Sequence, residues 1–127
     1  MTLATEEARR YLQLADDDAA AFRGLLTLPD VKFRLACFHA QQSVEKLLKA
    51  VMVWHDIAYQ RTHDLNTLAT QLLRHDITPP FSPEELTRLN PFAVTFRYDD
   101  TDIPLISVVI VEEMVGVMRR WAGEVVK

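Results

Sequence analysis

The fold is decided by one stretch, residues 30–55, which reads DVKFRLACFHAQQSVEKLLKAVMVWH. It contains neither glycine nor proline, and its apolar residues recur at every third or fourth position, which is the spacing of one face of an α-helix. We predict a helix of about 26 residues, roughly 39 Å long, which Pro29 and Asp30 open. Because an average helix has only about 11–12 residues, we expect this one to be the spine of a small bundle.

Polar residues crowd the middle of this predicted helix. Gln41 and Glu45 fall on one line along it, while Gln42, Lys46 and Lys49 fall on the neighbouring line. Glu45 precedes Lys49 by four residues, which is the favourable order for an ion pair along a helix. A polar line beside a broad apolar face is typical of a helix that partly faces a groove or another subunit. A fully solvated surface is the alternative, and the sequence leaves both open.

The whole chain has the composition of one globular domain. It has 127 residues, 49% of them apolar and 25% charged, with a net charge of −4. This acidic balance argues against sequence-independent binding to duplex nucleic acid, which requires a strongly basic surface. No apolar run is long enough to span a membrane and the N-terminus lacks the apolar part of a secretory signal, so we expect a cytoplasmic protein. The single cysteine, Cys37, is expected to be a buried thiol, and we predict no metal site and no cofactor.

Four further segments read as helices, and no pattern of strands accompanies them. They are predicted from Thr5 to about Arg23, from Asn66 to Arg74, from Ser82 to about Asn90 and from about Leu105 to Val125. Gly24 is the expected C-cap of the first of these, and residues 92–104 are expected to be irregular. We therefore predict an all-α fold, in which residues 1–127 form a single up-and-down antiparallel bundle of four to five helices.

Three consecutive acids, Asp16, Asp17 and Asp18, interrupt the apolar stripe of the first helix. Consecutive side chains of a helix fan out through about 200°, so three of them cannot all meet one metal ion. We therefore interpret this run as a solvated face of the helix rather than as a metal site.

A short polar segment, Arg61-Thr62-His63-Asp64, comes before the helix that begins near Asn66. An Arg and a His beside a helix N-terminus favour an anion such as phosphate, and His63 beside an acid is a candidate general base. In the alternative interpretation, Asp64 caps the helix, His63 packs against the bundle and Arg61 is exposed. The segment alone does not decide between them.

A second candidate is Phe96-Arg97-Tyr98, in the stretch predicted to be irregular. Arg97 is suited to contact phosphate, and Tyr98 is suited to stack on a base. The alternative is that the two aromatic residues only pin the loop to the bundle.

The motifs together resemble those of a known family. The stretch FHAQQSVEKLLKAVMVWHDIAYQRTHDLNTLATQLL, residues 38–73, followed by FRYDD, residues 96–100, resembles the HEPN domain (higher eukaryotes and prokaryotes nucleotide-binding). The resemblance spans nearly the whole chain and implies an up-and-down helical bundle that is commonly a homodimer. It also implies a gene encoded beside a minimal nucleotidyltransferase, as a two-component or toxin–antitoxin pair.

The resemblance leads us to expect a binding surface but no catalytic residue. By motif match, the expected nucleotide- or partner-binding residues are Gln41, Gln42, Glu45, Lys46, Lys49, His63, Asp64, Arg97 and Tyr98, to which the anion-favouring segment adds Arg61. Some family members are metal-independent ribonucleases that carry an Arg and a His four to six residues apart late in the domain. In this chain no His follows Arg97, because the last one is His75.

Two functions are therefore kept as hypotheses. The first is a non-catalytic partner of a minimal nucleotidyltransferase that also binds a nucleotide or RNA. The second is an endoribonuclease toxin in which His63 is the acid or base and Arg61 or Arg97 steadies the phosphate.

Overall fold

The computed structural model describes the backbone of residues 2–97 and 106–127, and their side chains except those of residues 94–97. It contains five α-helices: α1 Leu3–Leu26, α2 Phe33–Trp54, α3 Leu65–Arg74, α4 Pro83–Leu86 and α5 Val108–Val125. A 3₁₀ segment, Thr87–Arg97, follows α4 directly. No strand is present in this part of the chain and the helices pack against each other, so the prediction of an all-α fold is confirmed. No helix among these residues has both the length and the hydropathy needed to cross a membrane.

The spine of the bundle is α2, as predicted. It contacts α1, α3, α5 and the 3₁₀ segment, and 12 of its 22 residues, all between Ala36 and Met52, are buried. These residues form one core with Phe22 of α1, Phe92 of the 3₁₀ segment and Met118 of α5. Since burying one large apolar side chain contributes about 1.5–3 kcal/mol, contacts to α2 account for much of the stability of the fold.

The first and last helices both run antiparallel to a neighbour. Alanines line the side of α1 that faces α2, and Ala15 is fully buried, because small side chains let two helix backbones approach each other. At this contact Ser43 Oγ donates a hydrogen bond to the Ala15 carbonyl oxygen at 2.9 Å. The helix α5 is antiparallel to α1, and Arg119 Nε donates to Asp16 Oδ1 at 2.6 Å between them.

The buried thiol of Cys37 lies in this core. Burial raises the pKa of the thiol to about 12, so the group stays neutral and unreactive at physiological pH. The prediction of a buried structural cysteine is confirmed.

Helix α1 is longer than predicted at both ends. It begins at Leu3, because the hydroxyl of Thr2 caps it and accepts a hydrogen bond from the Thr5 amide at 3.0 Å. The predicted start at Thr5 is therefore wrong. The helix also continues through Gly24 to Leu26, since its last two leucines pack against the core.

Helix α2 begins later than predicted. Its first residue is Phe33, and Lys32 occupies the N-cap without a capping hydrogen bond from its side chain. Pro29 and Asp30 instead lie in a turn between α1 and α2, because proline suits turns as well as helix starts.

The predicted start of α4 is confirmed, but its predicted end at Asn90-Pro91 is not. Ser82 and Glu85 form a capping box at its N-terminus, and the chain then continues as the 3₁₀ segment through Pro91. The buried residues Leu86, Leu89 and Phe92 are spaced by three, which matches a helix with about three residues per turn.

Helix α5 begins at Val108 rather than near Leu105. The hydroxyl of Ser107 caps it by accepting a hydrogen bond from the Ile110 amide at 3.2 Å. Leu105 itself lies outside the described residues.

Candidate functional site

The polar middle of α2 is covered by other parts of the chain. Gln41 is 0% exposed and Glu45 is 3% exposed, so a fully solvated surface is wrong for both. Gln42, Lys46 and Lys49 are half-buried. We call the resulting arrangement the polar seam; it consists of Asp18 from α1, His63 from the loop before α3, and the α2 residues His39, Gln41, Gln42, Glu45, Lys46 and Lys49.

Glu45 is the centre of one half of the polar seam. Lys49 Nζ donates to its Oε2 atom at 3.0 Å, which confirms the predicted ion pair. The Nδ1 atom of His63 lies 2.8 Å from Oε1, and because a carboxylate only accepts, Nδ1 carries the proton. A buried carboxylate is tolerated only when it is paired and hydrogen-bonded, and these two contacts meet that requirement.

The amide of Gln41 fixes the loop onto the helix. Gln41 Nε2 donates to the carbonyl oxygen of His63 at 2.9 Å, and Gln42 Nε2 donates to Gln41 Oε1 at 2.7 Å. The loop is thus held at His63 through both its main chain and its imidazole. The imidazole is nevertheless 67% exposed, and no hydrogen bond from the described residues reaches its Nε2 atom. His63 is therefore oriented by a carboxylate with one nitrogen open to a ligand.

Asp18 forms the centre of the other half of the polar seam. His39 Nδ1 donates to Asp18 Oδ1 at 3.0 Å, and Lys46 Nζ donates to Oδ2. The Asp18 side chain is only 13% exposed, so the interpretation of the acidic run as a solvated face is wrong for Asp18. Asp16 and Asp17 are exposed, although Asp16 also pairs with Arg119. The run straddles two contacts of α1, one with α2 and one with α5.

The two halves of the polar seam contain the same set of groups. Each half contains one carboxylate, one lysine and one histidine that donates through Nδ1. A lysine ammonium has three N–H donors, and only one of them is used by the carboxylate contact of Lys46 or Lys49. With neutral imidazoles the charges of the four remaining groups cancel, so the polar seam offers donors for an anion without an excess of positive charge.

Two tyrosines extend this surface beyond Lys49. The hydroxyl groups of Tyr11 and Tyr59 are hydrogen-bonded, and their rings meet edge to face with centroids 6.2 Å apart. Lys49 Nζ lies 5.2 Å from the centre of the Tyr59 ring, within the range of a cation–π contact. Burial, and then the hydrogen bond with Tyr59, raises the pKa of the Tyr11 hydroxyl, so it is protonated at neutral pH.

Open space adjoins the tyrosine pair on both sides. One depression of about 390 Å³ has Glu7, Arg10, Tyr11 and Leu14 among its walls. A second of about 360 Å³ is lined by Glu7, Tyr59 and residues at the C-terminal end of α2. There is therefore open space beside the rings of Tyr11 and Tyr59.

The residues of the anion-favouring segment, Arg61 to Asp64, have different roles. Asp64 is the N-cap of α3, as predicted, and its carboxylate accepts from the Asn66 amide at 2.9 Å and from Asn90 Nδ2 at 2.8 Å. Partial burial works to raise the pKa of Asp64, but these hydrogen bonds and that from Thr67 outweigh it and lower the pKa below its usual value. Arg61 is exposed.

The structure joins five of the predicted binding residues by hydrogen bonds and an ion pair: Gln41, Gln42, Glu45, Lys49 and His63. Lys46 instead contacts Asp18, in the other half of the polar seam. Arg97 is the last residue of the 3₁₀ segment and its side chain is outside the description, as is the whole of Tyr98. Whether these residues bind a ligand or a partner stays a prediction.

Sequence reasoning missed four members of this surface, Tyr11, Asp18, His39 and Tyr59. The sequence predicts Asp18 to be solvated, because a contact between side chains of two different helices leaves no local pattern in the sequence. His39 did carry a signal, because it lies seven residues before Lys46 and so shares its side of α2.

The comparisons with known proteins identify the family of the chain. The family model described as HEPN domain matches residues 5–126, which include every residue of the polar seam. No curated protein and no solved structure matched the chain. Since the family model covers nearly the whole length, the chain belongs to the HEPN domain family.

Proposed function

We propose that this HEPN domain protein is the non-catalytic partner of a minimal nucleotidyltransferase, in a two-component or toxin–antitoxin system, and that its polar seam holds nucleotide phosphate. The observation that carries the proposal is the half-buried pair of lysines, Lys46 and Lys49, each held by its own carboxylate. Family membership supports the choice of partner, because HEPN domains generally pair with nucleotidyltransferases.

The phosphate part of the proposal follows from donor geometry. Lys46 and Lys49 lie on one side of α2 and each keeps ammonium N–H groups for a further acceptor. Gln42 lies about one turn before Lys46 on the same side of the helix, and the Tyr59 ring beside Lys49 offers a face on which a base can stack. Arg97 and Tyr98, which the resemblance adds to the surface, remain part of the prediction.

The non-catalytic part rests on the missing pair of acid and base. Metal-independent RNA cleavage needs one group that accepts and one that donates a proton, on either side of the scissile phosphate. The Arg and His pair that the nuclease members carry late in the domain is absent, because no His follows Arg97; Arg34 and His39 have the spacing but lie in the early helix α2.

The partner is tested by co-expression with the nucleotidyltransferase encoded in the neighbouring gene. We expect the two chains to elute as one species in size-exclusion chromatography. Separate elution of the two folded proteins at micromolar concentration would remove the main content of the proposal.

Nucleotide binding is tested separately by thermal shift with ATP. A ligand at 100 times its dissociation constant stabilises the folded state by about 2.7 kcal/mol, which is readily measured. Gln42→Ala is the useful variant, because Gln42 hydrogen-bonds only Gln41 within the described residues and its loss breaks no ion pair. We expect it to reduce the shift, whereas the matched amide variant Gln13→Ala, on the exposed side of α1, leaves the shift unchanged.

A ribonuclease remains the second candidate, because one observation favours it. His63 is oriented by Glu45 at 2.8 Å and keeps Nε2 open, which is how a general acid or base is commonly held. The purified protein would then cleave RNA in the presence of a chelator, and His63→Ala would abolish cleavage. Absence of cleavage by the unmodified protein, or unchanged cleavage by the variant, rejects this candidate.

A further inference from the structure

Helix α5 contains a glycine that its own subunit does not explain. Gly116 lies in the middle of the helix, where glycine is less stable than alanine. A Cβ atom built on Gly116 meets nothing within 4 Å, so no close packing among the described residues requires its small size. A helical glycine with no internal reason points to a close approach from outside.

Gly116 is the centre of an outward stripe on α5. The stripe consists of Val109, Glu113, Gly116 and Arg120, whose spacings of four, three and four keep them on one side of the helix. Val109 is 73% exposed, and both Glu113 and Arg120 are exposed. None of these residues belongs to the polar seam.

The two charges of the stripe are unpaired, although their neighbours in sequence are paired. Glu112 faces Arg23, and Arg119 binds Asp16. Glu113 and Arg120 make no hydrogen bond or ion pair with any residue that the structure describes. The helix thus uses one acid and one base to attach to α1 and leaves one acid and one base on the outside.

We propose that the stripe is the contact surface for a second copy of this chain, with two α5 helices packed antiparallel and crossing at Gly116. Glu113 and Arg120 lie at equal distances on either side of the midpoint between Gly116 and Val117. A two-fold axis through that midpoint therefore sets Glu113 against Arg120 of the partner subunit, and the symmetric contact forms as well. Val109 covers the end of the contact.

The second copy is favoured over another protein because the stripe complements itself. Acid and base are separated by about 10.5 Å along the helix, nearly two turns, so antiparallel helices bring opposite charges together twice. A parallel arrangement or an unrelated surface gains nothing from this spacing. The family resemblance leads us to expect a homodimer but does not say which surface forms it. The stripe supplies that surface and does not involve the nucleotidyltransferase.

The test measures the dimer dissociation constant of the full chain by sedimentation equilibrium. Glu113→Arg and Arg120→Glu each set like charges against each other twice, and we expect each to weaken dimerisation at least about tenfold. The double variant restores opposite charges with reversed signs and is expected to recover dimerisation. The matched control is Asp17→Arg, which makes the same charge change at an exposed, unpaired position of α1 among the described residues and should leave the constant unchanged.

Gly116→Trp provides a second test that does not depend on charge. Because the Cβ position is open, the variant is expected to fold, as judged by helical content, and to be monomeric. A monomeric unmodified protein at high concentration overturns the proposal. A dimer that survives Gly116→Trp and both single reversals also overturns it and assigns the contact to another surface.

Discussion

Removing the ammonium of Lys49 should destabilise the protein by about 2–3 kcal/mol. Lys49 Nζ contacts Glu45 Oε2 at 3.0 Å, and the side chains of Lys49 and Glu45 are 13% and 4% exposed. Breaking a buried ion pair by removing one partner typically costs about 3–5 kcal/mol, because the other charge is left uncompensated. Here His63 still donates to the same carboxylate at 2.8 Å, so Lys49→Met should cost less than that range.

The assay is a double-mutant cycle measured by urea unfolding, with tryptophan fluorescence and circular dichroism as two probes. Glu45→Leu/Lys49→Met replaces both charges by apolar groups and should be more stable than Lys49→Met, because no unpaired charge remains. Arg74→Met, at an exposed position with no ion pair among the described residues, is the control and should change stability by less than about 0.5 kcal/mol. Additive single effects, or a cost for Lys49→Met no larger than that of the control, would refute the account of Glu45 as a buried, compensated charge.

Three further outcomes are expected from other parts of the molecule. Asp64→Asn should lower the free energy of unfolding by about 1 kcal/mol at neutral pH, because it weakens the cap of α3. The folded-state pKa of Asp64 is lowered, so the difference in stability between the variant and the unmodified protein should shrink as pH falls through that pKa. Urea unfolding at several pH values measures this difference. Cys37, whose pKa burial raises to about 12, should react with a thiol reagent at pH 7 only at the rate of global unfolding, and fast labelling of the folded protein would contradict this. Phe92→Ala should cost about 3–5 kcal/mol by leaving a cavity beside α2, whereas exposed Leu73→Ala should cost far less in the same unfolding assay.

The fold was predictable because all the sequence signals in α2 and around it indicate the same structure. Its apolar spacing, its length and the caps Asp64 and Ser82 around the following helices all indicate one bundle, and the structure confirms them. The errors fall where two local signals compete. Pro29-Asp30 suits both a turn and a helix start, and only the packing of α1 against α2 decides between them.

The candidate site was predictable only on α2 and in the segment that follows it. Gln41, Glu45 and Lys49 share a helix, so their proximity follows from their spacing. Asp18 reaches Lys46 from a different helix, 28 positions away in the chain. Such a contact depends on the register between α1 and α2, which buried alanines and the hydrogen bond from Ser43 set and which no local pattern encodes.

The double attachment of His63 has a consequence for the length of the loop that precedes it. Residues 55–62 join the end of α2 to a histidine whose carbonyl oxygen and imidazole are both bound by α2 itself. Surface connections usually accept insertions and deletions without harm. In this protein an added or deleted residue between Trp54 and His63 would draw the imidazole away from Glu45, and a change at the surface would leave Oε1 of a carboxylate in the centre of the bundle without its histidine donor.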